Sequence, residues 1–280
     1  MGDLMQGKRG LVMGVANHNS IAWGAAKALS DQGAEVALTF QGDAFGRRVK
    51  PLAEEIGSKL VIPCDVEDTA SLDAVFKTLK DEWGSIDFVL HAIAFSDKSE
   101  LKGLYANTTR ENFTRTMVIS CFSFTEVARR AAEIMENGGS MVTMTYGGAV
   151  RVMPNYNVMG VAKAALEASV RYLAADFGPR NIRVNAISAG PVRTLAGAGV
   201  SDARLMFNYQ RRNAPMRRNT TIEEVGGSVL YLMSELANGV TGEIHYVDSG
   251  YNVMSMPALD ELKAQEQRKA IVEGDDDVER

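Results

Sequence analysis

Tyr156 and Lys163 are the residues whose types and spacing most directly suggest chemistry. They stand seven residues apart, where residues 157–178 have the pattern of a helix. Seven residues make almost two helical turns, with an offset of about 20° and a rise of about 10 Å. If the helix includes Tyr156, both side chains share one face, with the phenol pointing at a substrate and Lys163 reaching a cofactor ribose. Two ordinary helix-surface residues are the alternative.

The same spacing distinguishes between two kinds of reduction. Short-chain dehydrogenases that reduce ketones usually carry tyrosine and lysine four residues apart, and the residue four before Lys163 is Met159. A tyrosine displaced by one helical turn suits an α,β-unsaturated thioester instead. There the hydride reaches the β-carbon, and the carbonyl oxygen two bonds away becomes an enolate that needs a hydrogen-bond donor. Met159 therefore argues against a ketoreductase, and we expect it to contact the substrate beside Tyr156.

The elements that would position this pair alternate between short apolar strands and helices. Strands are predicted at about 9–14, 35–40, 59–62, 86–93, 140–145, 182–187 and 243–247, with helices at about 20–32, 45–56, 69–83, 109–137, 157–178 and 221–236. Strands that are apolar on both faces and separated by helices form parallel sheets covered on both sides. The pattern predicts a Rossmann-type, doubly wound α/β fold of about seven strands, with ligands at the carboxyl ends of the strands.

The turn after the first strand has features of a nucleotide-binding loop. Gly14 would permit the tight turn, and Ser20 and Ile21 would open the next helix towards a pyrophosphate. Gly24 would let that helix approach the sheet closely. The spacing departs from the usual G-x-G-x-x-G, because Ser20 stands near the place of a glycine. A plain strand–helix turn is the alternative.

Gln41 follows the second strand, at the position that commonly sets the choice of cofactor. An acid there binds the ribose 2′-hydroxyl, and a base accepts a 2′-phosphate. An amide can bond the hydroxyl, so Gln41 favours NADH. Arg47 and Arg48 lie a few residues further on and could reach a 2′-phosphate, which leaves NADPH open.

Two further strand ends supply candidate cofactor contacts. The carboxylate of Asp65 can take the adenine amino group, with the Val66 amide beside it. A cap for the following helix is the alternative role for Asp65. Ile93 ends the fourth strand, where an apolar side chain could support the cofactor rings.

Composition argues against several other classes of function. The 280 residues carry a net charge of −5, and residues 259–280 hold eight acids and four bases. Removing that −4 leaves about −1 for the rest, and neither part has the basic character of a nucleic-acid-binding protein. Three dispersed histidines give no metal-ligand spacing, and Cys64 and Cys121 are expected to be small buried residues.

The chain is predicted to hold one NAD-binding reductase domain over residues 1–258 and a charged, partly disordered tail over residues 259–280. No apolar run follows a basic patch at the start, and no stretch of about 18 apolar residues occurs. We therefore expect no signal peptide, no membrane span and a cytoplasmic location.

Several of these segments together resemble a known family. Residues 14–24, Gln41, Asp65-Val66, and the stretches PNYNVMG at 154–160 and RVNAISAGP at 183–191 are similar to bacterial NADH-dependent enoyl-acyl-carrier-protein reductases of fatty acid synthesis. The likeness covers about residues 5–255, and Tyr-x6-Lys is its most specific mark. It implies hydride transfer from NADH to the trans-2 double bond of an enoyl thioester, an acyl carrier protein as partner, and a homotetramer.

The resemblance also assigns roles to individual residues. Tyr156 would stabilise the enolate oxygen, and Lys163 would hold the nicotinamide ribose. Tyr146 would line the pocket, and Ser96 would contact the substrate. The implied cofactor positions are Gly14, Ser20, Ile21, Gln41, Asp65, Val66, Ile93, Lys163, Val192, Arg193, Thr194, Leu195 and Ala196. Ala92, Ala94 and Gly147 depart from what many relatives carry, and these departures concern the shape of the pocket.

A basic stretch, residues 201–220, follows the cofactor loop. Its charged residues are Arg204, Arg211, Arg212, Arg217 and Arg218 against Asp202, a local net charge of +4. The stretch is apolar enough to cover an acyl chain as a lid, with Met206 and Phe207 against the substrate. Part of the cluster is expected to receive an acidic acyl carrier protein. A solvated helix with ordinary charges is the alternative.

Two other functions stay open at this point. One is another short-chain carbonyl reductase, against which Met159 argues. The other is a catalytically silent NAD(H)-binding regulator, against which the intact Tyr156–Lys163 pair argues.

Overall fold

Seven parallel strands form one sheet among residues 2–194, 202–264 and 266–267, the residues that the computed structural model describes. The strands are β1 (Arg9–Met13), β2 (Glu35–Phe40), β3 (Val61–Pro63), β4 (Phe88–His91), β5 (Gly139–Thr145), β6 (Ile182–Ala189) and β7 (Ile244–Val247). They pair in the order β3-β2-β1-β4-β5-β6-β7, always in parallel. The predicted doubly wound α/β sheet is confirmed.

Helices cover both faces of the sheet. They are α1 (Ile21–Asp31), α2 (Gly42–Glu55), α3 (Thr69–Trp83), α4 (Arg110–Met117), α5 (Ser123–Ile134), α6 (Asn157–Phe177), α7 (Ala203–Asn213) and α8 (Ile222–Met233). Helices α1, α2 and α8 supply one buried apolar cluster, and α3, α5 and α6 supply the other. This two-sided covering explains why the strands are apolar on both faces.

The direction of winding reverses between β1 and β4. These neighbours are separated in the sequence by β2 and β3, so the loops that follow them diverge to opposite sides and leave a crevice. Gly14 enters this crevice with a φ of +100°, and a Cβ there would collide with the carbonyl oxygen of Ala92. Only glycine allows the two strand ends to lie this close.

Of two local predictions, the one for a long helical region at about 109–137 is largely confirmed, and the one for Gly24 is wrong. The helical region runs from α4 through a π-helical turn, Val118–Phe122, into α5 and ends at Ile134. Gly24 approaches helix α8 and not the sheet. A Cβ on Gly24 would lie 2.6 Å from the carbonyl oxygen of Ile222, and a Cβ on Gly226 would lie 2.6 Å from that of Gly24.

The segment after residue 258 continues onto the body of the protein. Residues 259–264 are helical, and the Ala258 amide donates to the side-chain oxygen of Asn213 at 2.7 Å. Asp260 and Glu261 pair with Arg217 and Arg212, each at 3.0 Å. The start of the predicted tail is therefore tied to the end of α7, while the division at residue 258 stays a prediction.

Candidate active site

Tyr156 and Lys163 both lie at the carboxyl end of β5. Lys163 is buried in α6, and its ammonium group donates to the carbonyl of Met144 at 2.9 Å. Helix α6 begins at Asn157, one residue after Tyr156, and Asn157 has a φ of +33°. The helix therefore does not include Tyr156, and the offset of about 20° for an unbroken helix does not apply.

The Tyr156 phenol is held by packing. Its ring meets the ring of Tyr146 edge-on, with centroids 5.1 Å apart and planes at 69°. A Cβ on Gly148 would collide with the Tyr156 ring, so glycine is required there. Sequence analysis missed this role of Gly148, whose only signal was its place just after Tyr146.

Both phenols are kept protonated by their surroundings. Burial raises the pKa of Tyr146 to about 12, with Tyr251 and Asp248 adding smaller contributions. Burial, and then the neighbouring Tyr146, raises the pKa of Tyr156 further. The Tyr156 hydroxyl has no hydrogen-bond partner among the described residues, so a neutral donor is available to an incoming oxygen.

Burial lowers the pKa of Lys163 to about 8, while Cys121 and Glu167 act in the opposite direction. Glu167 lies one helical turn further along α6 and accepts a hydrogen bond from the Thr145 hydroxyl at 2.7 Å. Burial raises the pKa of Glu167, against the opposing effects of the Thr145 hydrogen bond and of the Arg171 and Lys163 charges. At neutral pH Lys163 remains mostly a cation with donors to spare.

The amino end of α1 suits an anion. Ser20 precedes the helix, and its hydroxyl oxygen accepts the amides of Ala16 and Asn17 at 3.0 and 3.1 Å. It makes no capping bond to α1, whose first turn, beginning with Ile21, holds no acidic residue. Uncapped amides at a helix start, beside the Gly14 turn, fit a pyrophosphate.

Gln41 and Asp65 meet at the next strand ends. The Gln41 amide nitrogen donates to the Asp65 carboxylate at 3.0 Å, and the other carboxylate oxygen accepts the Glu67 amide at 2.9 Å. Asp68 is the cap of α3, through a bond from the Ala70 amide, so the alternative role of Asp65 as the cap is wrong.

The remaining predicted cofactor residues are distributed around the same edge. Val66 is buried, and Ile93 lies two residues beyond β4 and packs against the core. Val192 packs against the opposite cluster, and the Thr194 amide donates to its carbonyl at 2.8 Å. Leu195 and Ala196 lie outside the described residues.

The predicted substrate residues divide into two groups. Met159 is buried with Val158 and Leu101, and Tyr156 packs against that cluster. Ser96 is also buried, and its hydroxyl accepts a hydrogen bond from the Thr116 hydroxyl at 2.9 Å. That hydroxyl is engaged in the core, so the Ser96 contact with substrate stays a prediction.

Helix α7 contacts the cofactor segment. The guanidinium of Arg193 lies 4.7 Å from the centre of the Phe207 ring, and Met206 and Phe207 are both half-buried. The Gln210 amide donates to the carbonyl of Asp248 at 3.3 Å. A predicted cofactor residue and a predicted substrate residue therefore touch directly.

The basic stretch is less basic in the fold than in the sequence. Arg212 and Arg217 pair with the acids that follow residue 258, and Arg218 pairs with Glu224 at 2.6 Å. Among the described residues only Arg204 and Arg211 of the five arginines have no acidic partner, and both are exposed. The local net charge of +4 counted from the sequence is therefore larger than the positive charge that the folded surface presents to a partner.

The described ranges hold neither a membrane-spanning helix nor a cluster of metal ligands. No helix there is both long and apolar enough to cross a bilayer. No group of three or more histidine, cysteine, aspartate or glutamate side chains in those ranges could hold a metal ion.

Comparison with known proteins identifies the family. A family model described as enoyl-(acyl carrier protein) reductase matches residues 14–252. The chain belongs to this family. The enoyl reductase match includes the β1 loop, the Tyr156–Lys163 pair, α7 and β7, so it spans every segment of the candidate site.

Individual enoyl reductases agree with the family model. Enoyl-[acyl-carrier-protein] reductase [NADH] 2 of Rhizobium meliloti is 70% identical over 263 residues, which is 94% of this chain and 98% of the relative. The corresponding NADH enzyme of Rickettsia conorii is 54% identical over 91% of this chain and 98% of its own length.

Solved structures of enoyl reductases are closely similar to the structure of this chain. The crystal structure from Anaplasma phagocytophilum, in complex with NAD, has a TM-score of 0.90 at 57% identity, covering 92% of this chain and 99% of that one. The Bacillus cereus enzyme, solved with NADP+ and an indole naphthyridinone, has a TM-score of 0.89 at 50% identity, covering 91% and 100%. The resemblance stated from the sequence is confirmed.

Proposed function

We propose that this enoyl reductase uses NADH to reduce the trans-2 double bond of an enoyl thioester carried on acyl carrier protein. The observation that carries the proposal is the protonated Tyr156 phenol, which has no hydrogen-bond partner among the described residues and stands three residues before the position of a ketoreductase tyrosine. When bound, NADH supplies the hydride. The protein supplies the hydrogen bond that stabilises the enolate oxygen.

The cofactor would be held along the strand ends between β1 and β6. The amino end of α1 would bind the pyrophosphate, and Gln41 and Asp65 would bind the adenosine. Lys163 would donate to the nicotinamide ribose from its buried position. We assign the same binding role to Ser20, Ile21, Val66, Ile93, Val192, Arg193, Thr194, Leu195 and Ala196.

Tyr156 would be the hydrogen-bond donor, and Tyr146 would line the pocket beside it. The T-shaped contact between the two rings would place the Tyr146 phenol beside the same space. Met159 would contact the acyl group beside Tyr156, and Met206 and Phe207 would contact it from α7. Ser96, next to Phe95, would also contact the substrate.

The experiment compares two thioesters. Purified enzyme is given NADH with crotonyl-coenzyme A or with acetoacetyl-coenzyme A, and NADH oxidation is followed by absorbance. An enoyl reductase oxidises NADH with the first and not with the second. Oxidation with acetoacetyl-coenzyme A would make the protein a carbonyl reductase, and binding of NADH without oxidation in either case would make it a silent regulator.

The partner in this proposal is an acidic acyl carrier protein that docks at Arg204 and Arg211. These two arginines support it because they are exposed and lack acidic partners within the described ranges, whereas Arg212, Arg217 and Arg218 are paired. Charge complementarity at such a surface mainly raises the association rate.

A homotetramer that acts in the cytoplasm completes the proposal. Large apolar side chains are exposed on α4, the π-helical turn and α6, namely Phe113, Phe122, Val161 and Tyr172, the last at 76% exposure. These helices pack together, so a second copy could cover their outer side chains. Light scattering on wild type and on Tyr172→Glu tests this, with a smaller assembly expected for the variant and a wild-type monomer refuting it.

A further inference from the structure

Two asparagines flank Tyr156 in an unusual backbone conformation. Asn155 has a φ of +56° and Asn157 a φ of +33°, whereas Tyr156 between them has a φ of −114°. L-residues other than glycine rarely adopt positive φ, and asparagine tolerates it best. The chain therefore reverses its handedness on each side of the proposed donor, which fixes the direction in which the Tyr156 side chain leaves the backbone.

The Asn157 side chain holds one neighbouring segment. Its amide nitrogen lies 3.3, 3.5 and 3.3 Å from the carbonyls of Glu100, Lys102 and Gly103. Leu101, in the same turn, is buried in the small cluster against which Tyr156 packs. Asn157 thus ties the start of α6 to the turn that forms one wall beside the phenol.

The Asn155 side chain, on the other side of Tyr156 in the sequence, holds the start of α7. Its amide nitrogen donates to the carboxylate of Asp202 at 3.0 Å. Asp202 precedes α7 and itself has a φ of +57°. Helix α7 carries Met206 and Phe207, so this bond joins the Tyr156 loop to the helix that would cover the acyl chain.

We propose that Asn155 and Asn157 are positioning residues, which hold Tyr156 by their left-handed backbone and tie it to α7 and to the turn at 100–103. The inference rests on the proposed function, in which Tyr156 donates to the enolate oxygen. Misplacement of a catalytic group by about 1 Å can cost about 100-fold in rate. Loss of either side chain therefore lowers turnover without removing a group that touches the substrate.

The first test separates the side chain of Asn157 from its backbone. Asn157→Gly keeps the left-handed conformation and removes the amide, and Asn157→Asp keeps the shape but cannot donate to carbonyls. Both lower kcat with a 2-enoyl thioester by about tenfold or more, with the NADH dissociation constant and thermal midpoint close to wild type. Asn181→Gly is the matched control, because Asn181 has a φ of +57° at an exposed turn before β6.

The second test asks whether the effect passes through the tyrosine hydroxyl. Asn157→Gly is measured again in the Tyr156→Phe background, where it causes no further loss of kcat. An equal fold-loss in both backgrounds, or a loss no greater than that of Asn181→Gly, overturns the proposal. Wild-type turnover in Tyr156→Phe alone would instead refute the proposed function, so the two failures are distinguishable.

The Asn155–Asp202 bond is tested by a double-mutant cycle. Asn155→Gly and Asp202→Gly, which both permit the positive φ, each raise KM for a long-chain enoyl thioester and lower kcat, and the double variant is no worse than either single variant. Asp202→Asn retains an acceptor and stays close to wild type. Additive losses would show that the two residues act separately and would refute their pairing.

Discussion

Tyr156 and Lys163 belong to one sequence motif, but burial affects the two side chains in opposite ways. Burial raises the pKa of the phenol and keeps it a neutral donor, whereas burial lowers the pKa of the ammonium group to about 8 without neutralising it at pH 7. The Tyr156 hydroxyl has no hydrogen-bond partner among the described residues, whereas the Lys163 ammonium group already donates to the Met144 carbonyl. One side chain is therefore poised for substrate, and the other is anchored to the strand.

This difference predicts unequal effects of two substitutions. Tyr156→Phe removes the donor to the enolate and should lower kcat by about 100-fold or more. Lys163→Arg keeps a cation and should lower kcat less. Steady-state kinetics with a 2-enoyl thioester measures both, and unchanged turnover in Tyr156→Phe would contradict the role given to the phenol.

The expected preference for NADH has a physical basis in the Gln41–Asp65 bond. A carboxylate can only accept, so the Gln41 amide nitrogen must face Asp65 and the amide oxygen must face away from it. An outward acceptor bonds a ribose hydroxyl and repels a 2′-phosphate. Asp65 is thus expected to hold Gln41 in the orientation that discriminates between the two cofactors.

Asp65→Asn should relax this discrimination, because an amide partner allows Gln41 to turn its nitrogen outwards. The ratio of NADPH to NADH affinity should rise severalfold, in keeping with an exposed hydrogen bond of about 1 kcal/mol. Fluorescence titration of both cofactors measures it. In a Gln41→Ala background the ratio should no longer respond to Asp65→Asn; a persisting response would indicate direct repulsion by Asp65.

At the scale of elements, α1 and α8 cross at two glycines. A Cβ on Gly24 would lie 2.6 Å from the Ile222 carbonyl oxygen, and a Cβ on Gly226 would lie 2.6 Å from the Gly24 carbonyl oxygen. The helices can approach this closely only without side chains at the crossing. The crossing in turn fixes α1, whose amino end is the proposed pyrophosphate site.

Gly226→Ala should destabilise the protein by about 1–3 kcal/mol, the usual effect of overfilling a packed contact. Gly227→Ala is the matched control, because a Cβ on Gly227, the next residue in α8, would have no atom within 4 Å. There alanine should stabilise the helix by up to about 1 kcal/mol. Urea denaturation measures both, and a shift of the same sign in the two variants would contradict the role of the crossing.

The helices and strands could be predicted where the spacing of apolar residues alone determines their bounds. Helix α3 has the predicted bounds, because apolar spacing and the Asp68 cap agree on them. The π-helical turn Val118–Phe122 lies within the long helical region expected at about 109–137, and the sequence pattern there does not distinguish a π-helical turn from an α-helical one. The partner of Gly24 lies about 200 residues away, and no local pattern indicates it.

The site was predictable where the chemistry depends on residue type and not on conformation. The rings of Tyr146 and Tyr156 do meet, and Gln41 does meet Asp65. The left-handed backbone at Asn155 and Asn157 could not be predicted from the sequence, because asparagine permits positive φ without requiring it. The ion pairs of Arg212 and Arg217 were missed because their acidic partners belong to the segment expected to be a separate tail.

At the scale of the whole molecule, the distribution of charge predicts how the partner is recognised. Arg204→Glu and Arg211→Glu should raise KM for an enoyl group on acyl carrier protein severalfold and leave the coenzyme A thioester nearly unaffected. Lys59→Glu, at an exposed position before β3, is the control. Equal losses with both substrates would indicate damage to α7, and no loss with either would make these arginines ordinary surface.

The Gly24–Gly226 crossing also has a consequence for the way the protein is made. At synthesis rates of roughly 5–20 residues per second, α8 leaves the ribosome about 10–40 s after α1. Throughout that interval the side of α1 that faces α8 has nothing to cover it, while the β1–β2 side can already be buried. The nascent chain therefore passes through a period in which its first helix is half-exposed and open to chaperones. The proposed pyrophosphate site at the start of that helix acquires its final support only when translation is nearly complete.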